Sequence, residues 1–238
     1  MKSSRAFKDM AQIDASVLSR LPAFAGLTPA ELKDIARDAR STLTAKGAAV
    51  FEQGREARSF FLLLCGHLQV AKTTQDGQQV VVRYISPGEF FGVAVAIGLG
   101  AYPASVVAMV DSVIVAWPSS AWPRVVACNP VLACNVLQSV GSRLQDAHTR
   151  VVEISTEQVE RRIAHALLRL ANQSGRKSDV GVEIAFPISR QDVAEMTGTT
   201  LHTVSRILSA WEKSGLVESG RRRIVIRDTH KLSALADG

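Results

Sequence analysis

Three side chains suited to reading a nucleic-acid base, His202, Ser205 and Arg206, stand at spacings of three and four in the string LHTVSRILSAW at residues 201–211, so a helix presents them on one face. An arginine donates two bonds to guanine O6 and N7, a histidine donates or accepts at a base edge, and a serine serves a base or a phosphate. Val204, Ile207, Leu208 and Trp211 fall on the opposite, apolar face. Upstream, Ser189 suits the N-cap of a helix over RQDVAEMT, Gly198 supplies a tight turn, and Thr199 or Thr200 caps the second helix, which is expected to run to Trp211. Val193, Ala194 and Met196 complete the packed face. Two short helices joined at a glycine form the helix-turn-helix pattern; the plainer alternative is an ordinary solvated helix pair. Arg190, Gln191, Thr199, Thr200, Thr203 and Ser209 flank the reading face and suit backbone phosphates.

Directly after the second helix, GLVESGRRRIVI at 215–226 gives two strand-like runs joined by a Gly-Arg-Arg-Arg turn. Such a basic hairpin is a wing, and Arg221, Arg222 and Arg223 would add affinity and salt dependence rather than sequence choice. Charge is distributed accordingly. Residues 160–238 hold 13 Lys and Arg against 9 Asp and Glu, a net of +4 out of the chain's +6. A basic excess at one end fits a polyanionic partner.

The elements that must carry this reader are also visible. Residues 41–118 break into short β-branched and apolar runs between Gly, Pro and Asp signals, including AAVFEQG, SFFLLLCG, EFFGVAVAIG and ASVVAMVDSVIVAWP, the pattern of an antiparallel barrel or sandwich. Gln75-Asp76-Gly77 is a hairpin turn. Before the barrel, Thr28 caps a helix opening at Pro29, whose apolar face is Leu32, Ile35, Ala36 and Ala39. Beyond Asn129-Pro130 the period changes: Ala133, Leu137, Val140, Leu144, Ala147, Val151 and Ile154 alternate spacings of four and three. A seam of this length is satisfied most simply by a second copy of itself, a parallel homodimer; the alternative is a helix that packs only on its own barrel. An amphipathic helix over 160–172, a loop QSGRKSDVG, and a strand through Val182, Ile184 and Phe186 lead into the reader.

The fold class is therefore α+β: a sensor barrel with N-terminal helices (1–128), a long dimerisation helix (129–158) and a winged helix-turn-helix (159–238). The basic start MKSSRAFKDMAQID lacks the apolar run of a secretory signal, and no uninterrupted apolar stretch is of membrane-spanning length, so a cytoplasmic protein is expected. Cys65, Cys128 and Cys134 include no C-x-x-C pair and are expected as buried free thiols, with a Cys128–Cys134 redox pair as the alternative. A cupin-like metalloenzyme needs His and carboxylate ligands clustered on barrel strands, and His67 is the single barrel histidine. No G-x-S-x-G, H-E-x-x-H or phosphate-loop string occurs, and no enzymatic activity is expected.

With NPVLACNVLQSVGSRL, ISRQDVAEMTGTTLHTVSRIL and GLVESGRRRIVI in this order, the chain resembles the cyclic-AMP-receptor and fumarate-nitrate-regulator (CRP/FNR) family over nearly its whole length. The resemblance implies a cyclic-nucleotide-binding-like jelly-roll barrel, a homodimer on a two-fold symmetric double-stranded operator, and contact with RNA polymerase as activator or repressor. The family commonly carries Glu where His202 stands, followed by Ser or Gly and Arg at the positions of Ser205 and Arg206. His202 resembles the nitric-oxide and nitrite-reductase regulators (the NnrR-like branch), which implies a nitric-oxide or redox signal in denitrification and an altered preference at one base pair per half-site.

Family members that bind a cyclic nucleotide hold its ribose with a Glu and its phosphate with an Arg. Val93 stands at the first position and Pro103 or a neighbour at the second, so a buried phosphate would lack a counter-charge and cyclic AMP is not expected. An iron-sulfur cluster of the fumarate-nitrate type needs cysteines grouped near the N-terminus, and none precedes Cys65. Haem is the remaining sensor, with His148 and then His67 as candidate ligands beside Val93 and Tyr102; His148 is otherwise a polar interface residue and His67 a surface strand residue. An effector-independent or cyclic-nucleotide-dependent regulator is the alternative.

Overall fold

A computed structural model describes residues 11–237; Gly238 and the first ten residues of the basic start lie outside the described residues. The described residues divide into two compact units, one of residues 11–73 with 84–143, the other of 74–83 with 144–237.

In the first unit β1 (Ala11–Gln12), α1 (Ala15–Leu18) and α2 (Pro29–Arg37) precede the strands. Thr28 and Glu31 cap α2 reciprocally: Glu31 N donates to Thr28 Oγ1 at 3.3 Å and Thr28 N to Glu31 Oε2 at 2.7 Å, which satisfies two amide groups that the first turn cannot pair. The strands are β2 (Arg40–Thr44), β3 (Ala49–Phe51), β4 (Ser59–Cys65), β5 (Leu68–Thr73), β6 (Gln79–Ile85), β7 (Phe90–Phe91), β8 (Ser105–Ala108) and β9 (Ser112–Pro118). One sheet runs β1-β2-β9-β4-β7 and the other β3-β8-β5-β6. Then α3 (Trp122–Cys128) leads into the long α4 (Pro130–Thr156), whose residues from Leu144 on belong to the second unit, as do Gln79–Arg83 of β6.

Period-two geometry explains why β4 reads as one unbroken apolar run. Phe61 and Leu63 point between the sheets toward Leu68, Val106 and Ala108, with Ile114 and Ala116 of β9 beside them. Phe60 and Leu62 point the other way, into a second core with Ile35 of α2, Val125 of α3, Leu132 and Val136 of α4, and Trp117. A strand covered on both faces loses the alternation of a half-exposed one. The Trp117 indole in this second core donates to Ile35 O at 2.9 Å, so its polar atom is not stranded.

The second unit contains α5 (Val159–Ser174), β10 (Gly175–Ser178), β11 (Gly181–Ile184), α6 (Arg190–Thr197), α7 (Leu201–Lys213), β12 (Val217–Gly220), β13 (Arg223–Ile226) and α8 (Thr229–Asp237). Its sheet takes the order β10-β11-β13-β12.

Four sequence expectations are corrected. Val93–Ile97 is a 3-10 turn and not a strand, because Gly92 (φ +64°) and Gly98 (φ +75°) reverse the backbone at both ends. The QSGRKSDVG loop is itself ordered, with β10 pairing antiparallel to β11. All three cysteines are exposed, since they fall at a strand end, a helix end and the outer face of α4. Within the proposed seam, Val140 packs half-buried on the core that buries Leu132 and Val136, being eight and four residues on from them. Of the rest, Ala133 and Ala147 are half-buried, while the larger side chains are open: Leu137 is 71% exposed, Leu144 55%, Val151 63% and Ile154 50%.

Candidate nucleic-acid interface

Local chemistry sets the two reader helices. Asp192 N donates to Ser189 Oγ at 3.1 Å while Ser189 N donates to Asp192 Oδ2 at 2.7 Å, a reciprocal cap with Asp in the acidic place. Gly198 ends α6 at φ +61°, a left-handed conformation that a side chain would strain. Thr200 is the residue that caps α7, its Oγ1 accepting from Thr203 N at 3.1 Å. Val193, Ala194, Val204, Ile207, Leu208 and Trp211 are buried, and Met196 is half-buried. The helix continues to Lys213, two residues beyond the expected end.

On the outer face His202 and Arg206 are exposed and Ser205 is half-buried. Arg206 makes no ion pair among the described residues. Sequence reasoning overlooked Leu201, which is 47% exposed on the first turn beside His202. An apolar residue left in solvent at the tip of a reading helix suits a thymine methyl group, and its place immediately after the Thr200 cap was the available signal.

The residues expected on phosphates separate into two groups. Arg190 turns inward: its Nη2 donates to Ser219 Oγ at 2.7 Å and lies 3.4 Å from the Glu212 carboxylate, and its Nη1 lies 3.5 Å from Ser209 Oγ. Glu212 also accepts from Ser219 N at 3.0 Å. Arg190 and Ser209 therefore brace α7 against β12. Gln191 is exposed, its Nε2 donating to Glu195 Oε1 at 3.0 Å, Thr199 is half-buried, and Thr203 belongs to the α7 cap.

The wing separates in the same way. Gly220 pairs with Arg223, so Arg221 and Arg222 occupy the turn, exposed and without an ion pair among the described residues. Arg223 lies in β13 and donates to Glu218 Oε1 at 2.7 Å, with Glu183 Oε1 at 3.2 Å. The Arg223 guanidinium, with Arg176, holds the Glu183 carboxyl below the usual carboxylate range. Arg221→Ala and Arg222→Ala are each expected to weaken binding to any duplex alike and to reduce the slope of log affinity against log salt by about 1. Arg223→Ala should leave the slope less changed. Titrations at several salt concentrations measure this, and equal slope losses at all three positions would contradict the division.

Inside the barrel, the rings of Phe51 and Tyr102 stack with centroids 3.8 Å apart, and Phe61 and Phe91 stack at 5.2 Å. The Tyr102 hydroxyl donates to Ser59 O at 2.7 Å and accepts from Ser59 N at 3.2 Å; burial pushes its pKa up. At Gly92 an added Cβ would meet Phe61 Cδ2 at 2.8 Å. Val93 packs half-buried on the core beneath the helices. His67 is half-buried, and burial pushes its imidazole toward the neutral form. His148 is exposed on α4. The Tyr102 side chain is thus committed to the backbone of β4 and, through its ring, to Phe51.

Residues 43–129 match the cyclic nucleotide-binding domain and residues 161–235 the Crp-like helix-turn-helix domain. The chain is 29% identical over 217 residues to the cyclic AMP receptor protein of Thermus thermophilus, covering 91% of this chain and 97% of that one. It is 27% identical to the nitrogen fixation regulation protein FixK of Azorhizobium caulinodans, over 80% of this chain and 77% of that one. The solved structure of FixK2 from Bradyrhizobium japonicum shares the fold, with a TM-score of 0.72 at 22% identity, over 83% of this chain and 96% of that one. Two matched domains in this order, with a capped reader helix and an arginine-tipped wing on the second, place the chain in the CRP/FNR family of DNA-binding transcription regulators.

Proposed function

We propose that the protein acts as a homodimer that binds a near-palindromic operator, with α7 of each subunit in the major groove and His202, Ser205 and Arg206 reading base edges. The observation that carries this reading is an exposed apolar stripe on α4 (Leu137, Leu144, Val151, Ile154) in the same chain as an exposed reading face whose Arg206 makes no ion pair among the described residues. Apolar side chains at heptad spacing on a helix are covered by a second such helix, and two-fold symmetry in the protein selects two-fold symmetry in the DNA. Thr200, Thr203, Gln191, Arg221 and Arg222 serve phosphates. The family reading extends to a cytoplasmic protein that contacts RNA polymerase at the promoter; among the described residues no single helix is long and apolar enough to cross a membrane.

Selection from random duplexes tests the proposal. An inverted repeat is expected, its half-site centres about one helical turn (~10 base pairs) apart. Recovery of a single unrepeated motif would overturn it.

A nitric-oxide or redox signal is supported by the resemblance at His202, and for redox by solvent access to Cys65, Cys128 and Cys134. A second reading is favoured by the stacking of Phe51 on Tyr102 and of Phe61 on Phe91: the barrel holds no small effector, and the protein acts through its abundance. Although the Thermus relative is named for cyclic AMP, Val93 and Pro103 here provide neither carboxylate nor cation for a nucleotide.

A further inference from the structure

Three consecutive side chains at the start of α5 each grip a different part of the second unit. Glu160 Oε1 accepts from Trp211 Nε1 of α7 at 2.9 Å. Arg161 donates through Nε to Ala236 O and through Nη2 to Asp237 O of α8, both at 2.9 Å. Arg162 donates through Nε to Thr197 O, the last residue of α6, at 3.1 Å. Its Nη1 donates to Glu157 O at 3.1 Å and faces Ile154 O at 3.4 Å, at the end of α4.

The C-terminal ends of two helices thus converge on one guanidinium. Terminal carbonyls lack intrahelical donors and carry the negative end of the helix dipole. A planar cation with five N–H groups serves both ends at once in a fixed geometry, which an ammonium on a flexible stem does not. Only Glu157 and Gln158 separate α4 from α5, so Arg162 lies at the junction between the helix that bears the apolar stripe and the helix pair that reads DNA.

We propose that Arg162 is a positioning residue that fixes the pitch of α6, and through it α7, against the end of α4, and so sets the half-site spacing that the dimer accepts. This rests on the dimeric reading above. Glu160 holds α7 to the same junction through Trp211, while Arg161 reaches only α8 and provides an internal control. Without Arg162 the buried faces of α5, α6 and α7 still pack, but the α6 end is no longer tied to the α4 end and the reader is free to swing.

One base pair added or removed between half-sites changes their separation by about 3.4 Å and their relative rotation by about a tenth of a turn. Wild-type protein is expected to bind the selected palindrome at least about tenfold more tightly than versions one base pair longer or shorter, a difference of about 1.4 kcal/mol. Arg162→Ala should bind all three within about threefold of one another, with unchanged affinity for a duplex bearing one half-site, because the reading face is intact. Arg161→Ala should keep the wild-type profile, and Arg162→Lys, which retains charge but not the fork, should fall between.

Fluorescence anisotropy on the three palindromes and the half-site duplex gives these numbers, and circular dichroism melting shows which variants fold. Should Arg162→Ala fail to fold, Arg162→Lys is compared alone. Full spacing discrimination in the folded variants overturns the proposal, as does parallel loss of half-site and palindrome binding, which marks general damage. Indifference of the wild-type dimer to spacing also overturns it, while repeat selection still stands. Wild-type protein that selects no repeat and forms no dimer overturns the dimeric reading itself.

Discussion

The double substitution Leu144→Glu with Val151→Glu is expected to yield a folded monomer with operator affinity lowered by roughly 10²- to 10⁴-fold. The two positions lie one heptad apart on α4, are 55% and 63% exposed, and belong to neither buried core. Their replacement therefore costs the isolated chain little. In a parallel dimer the same side chains meet their own copies, where burial contributes about 1.5–3 kcal/mol each, and paired carboxylates would add repulsion across the two-fold axis. Loss of the dimer turns a two-handed grip into two independent half-site encounters, which removes the gain from effective concentration. Sedimentation gives the mass, circular dichroism the fold, and anisotropy the affinity. A variant that remains dimeric with native affinity would show that the stripe is covered by something other than a second α4.

Arg206→Ala should reduce operator affinity by about 1–3 kcal/mol, roughly 5- to 150-fold, and relax choice at one base pair of each half-site. The side chain is exposed and makes no ion pair among the described residues, so thermal stability should not move. Arg206→Lys should not restore the preference, because a point charge cannot make the two parallel bonds that guanine accepts. Base-substituted operators separate the outcomes: a loss shared evenly by every duplex would reassign Arg206 to a phosphate.

The reader was legible from sequence because its determinants are local. Ser189, Gly198 and Thr200 act within three residues of themselves, and the buried face of α7 follows from spacing alone. What escaped depends on partners distant in the chain. Arg190 is drawn inward by Glu212 and Ser219, 22 and 29 residues on, and Arg223 by Glu183, 40 residues back. A basic residue beside a reader carries the same sequence signal whether it points at DNA or at a neighbouring carboxylate. The strand β10 was hidden because Gly, Arg, Lys and Ser have little preference for extended structure, and its pairing with β11 decides the matter. In the stripe, Val140 satisfied the heptad spacing but lies in line with Leu132 and Val136, and packing resolved the ambiguity.

The double-sided burial of β4 has a consequence for synthesis on the ribosome. Its run Phe60-Phe61-Leu62-Leu63-Leu64 carries no charge and no proline, the composition of segments that join others of their kind edge to edge. One face is covered by Val106 and Ala108 of β8, and the other by Leu132 and Val136 of α4. Until some 75 further residues have emerged, at about 5–20 residues per second, this strand stays uncovered for several seconds. An uncovered apolar strand is prone to association in that interval, so yield of the intact regulator is expected to respond to elongation speed as well as to equilibrium stability.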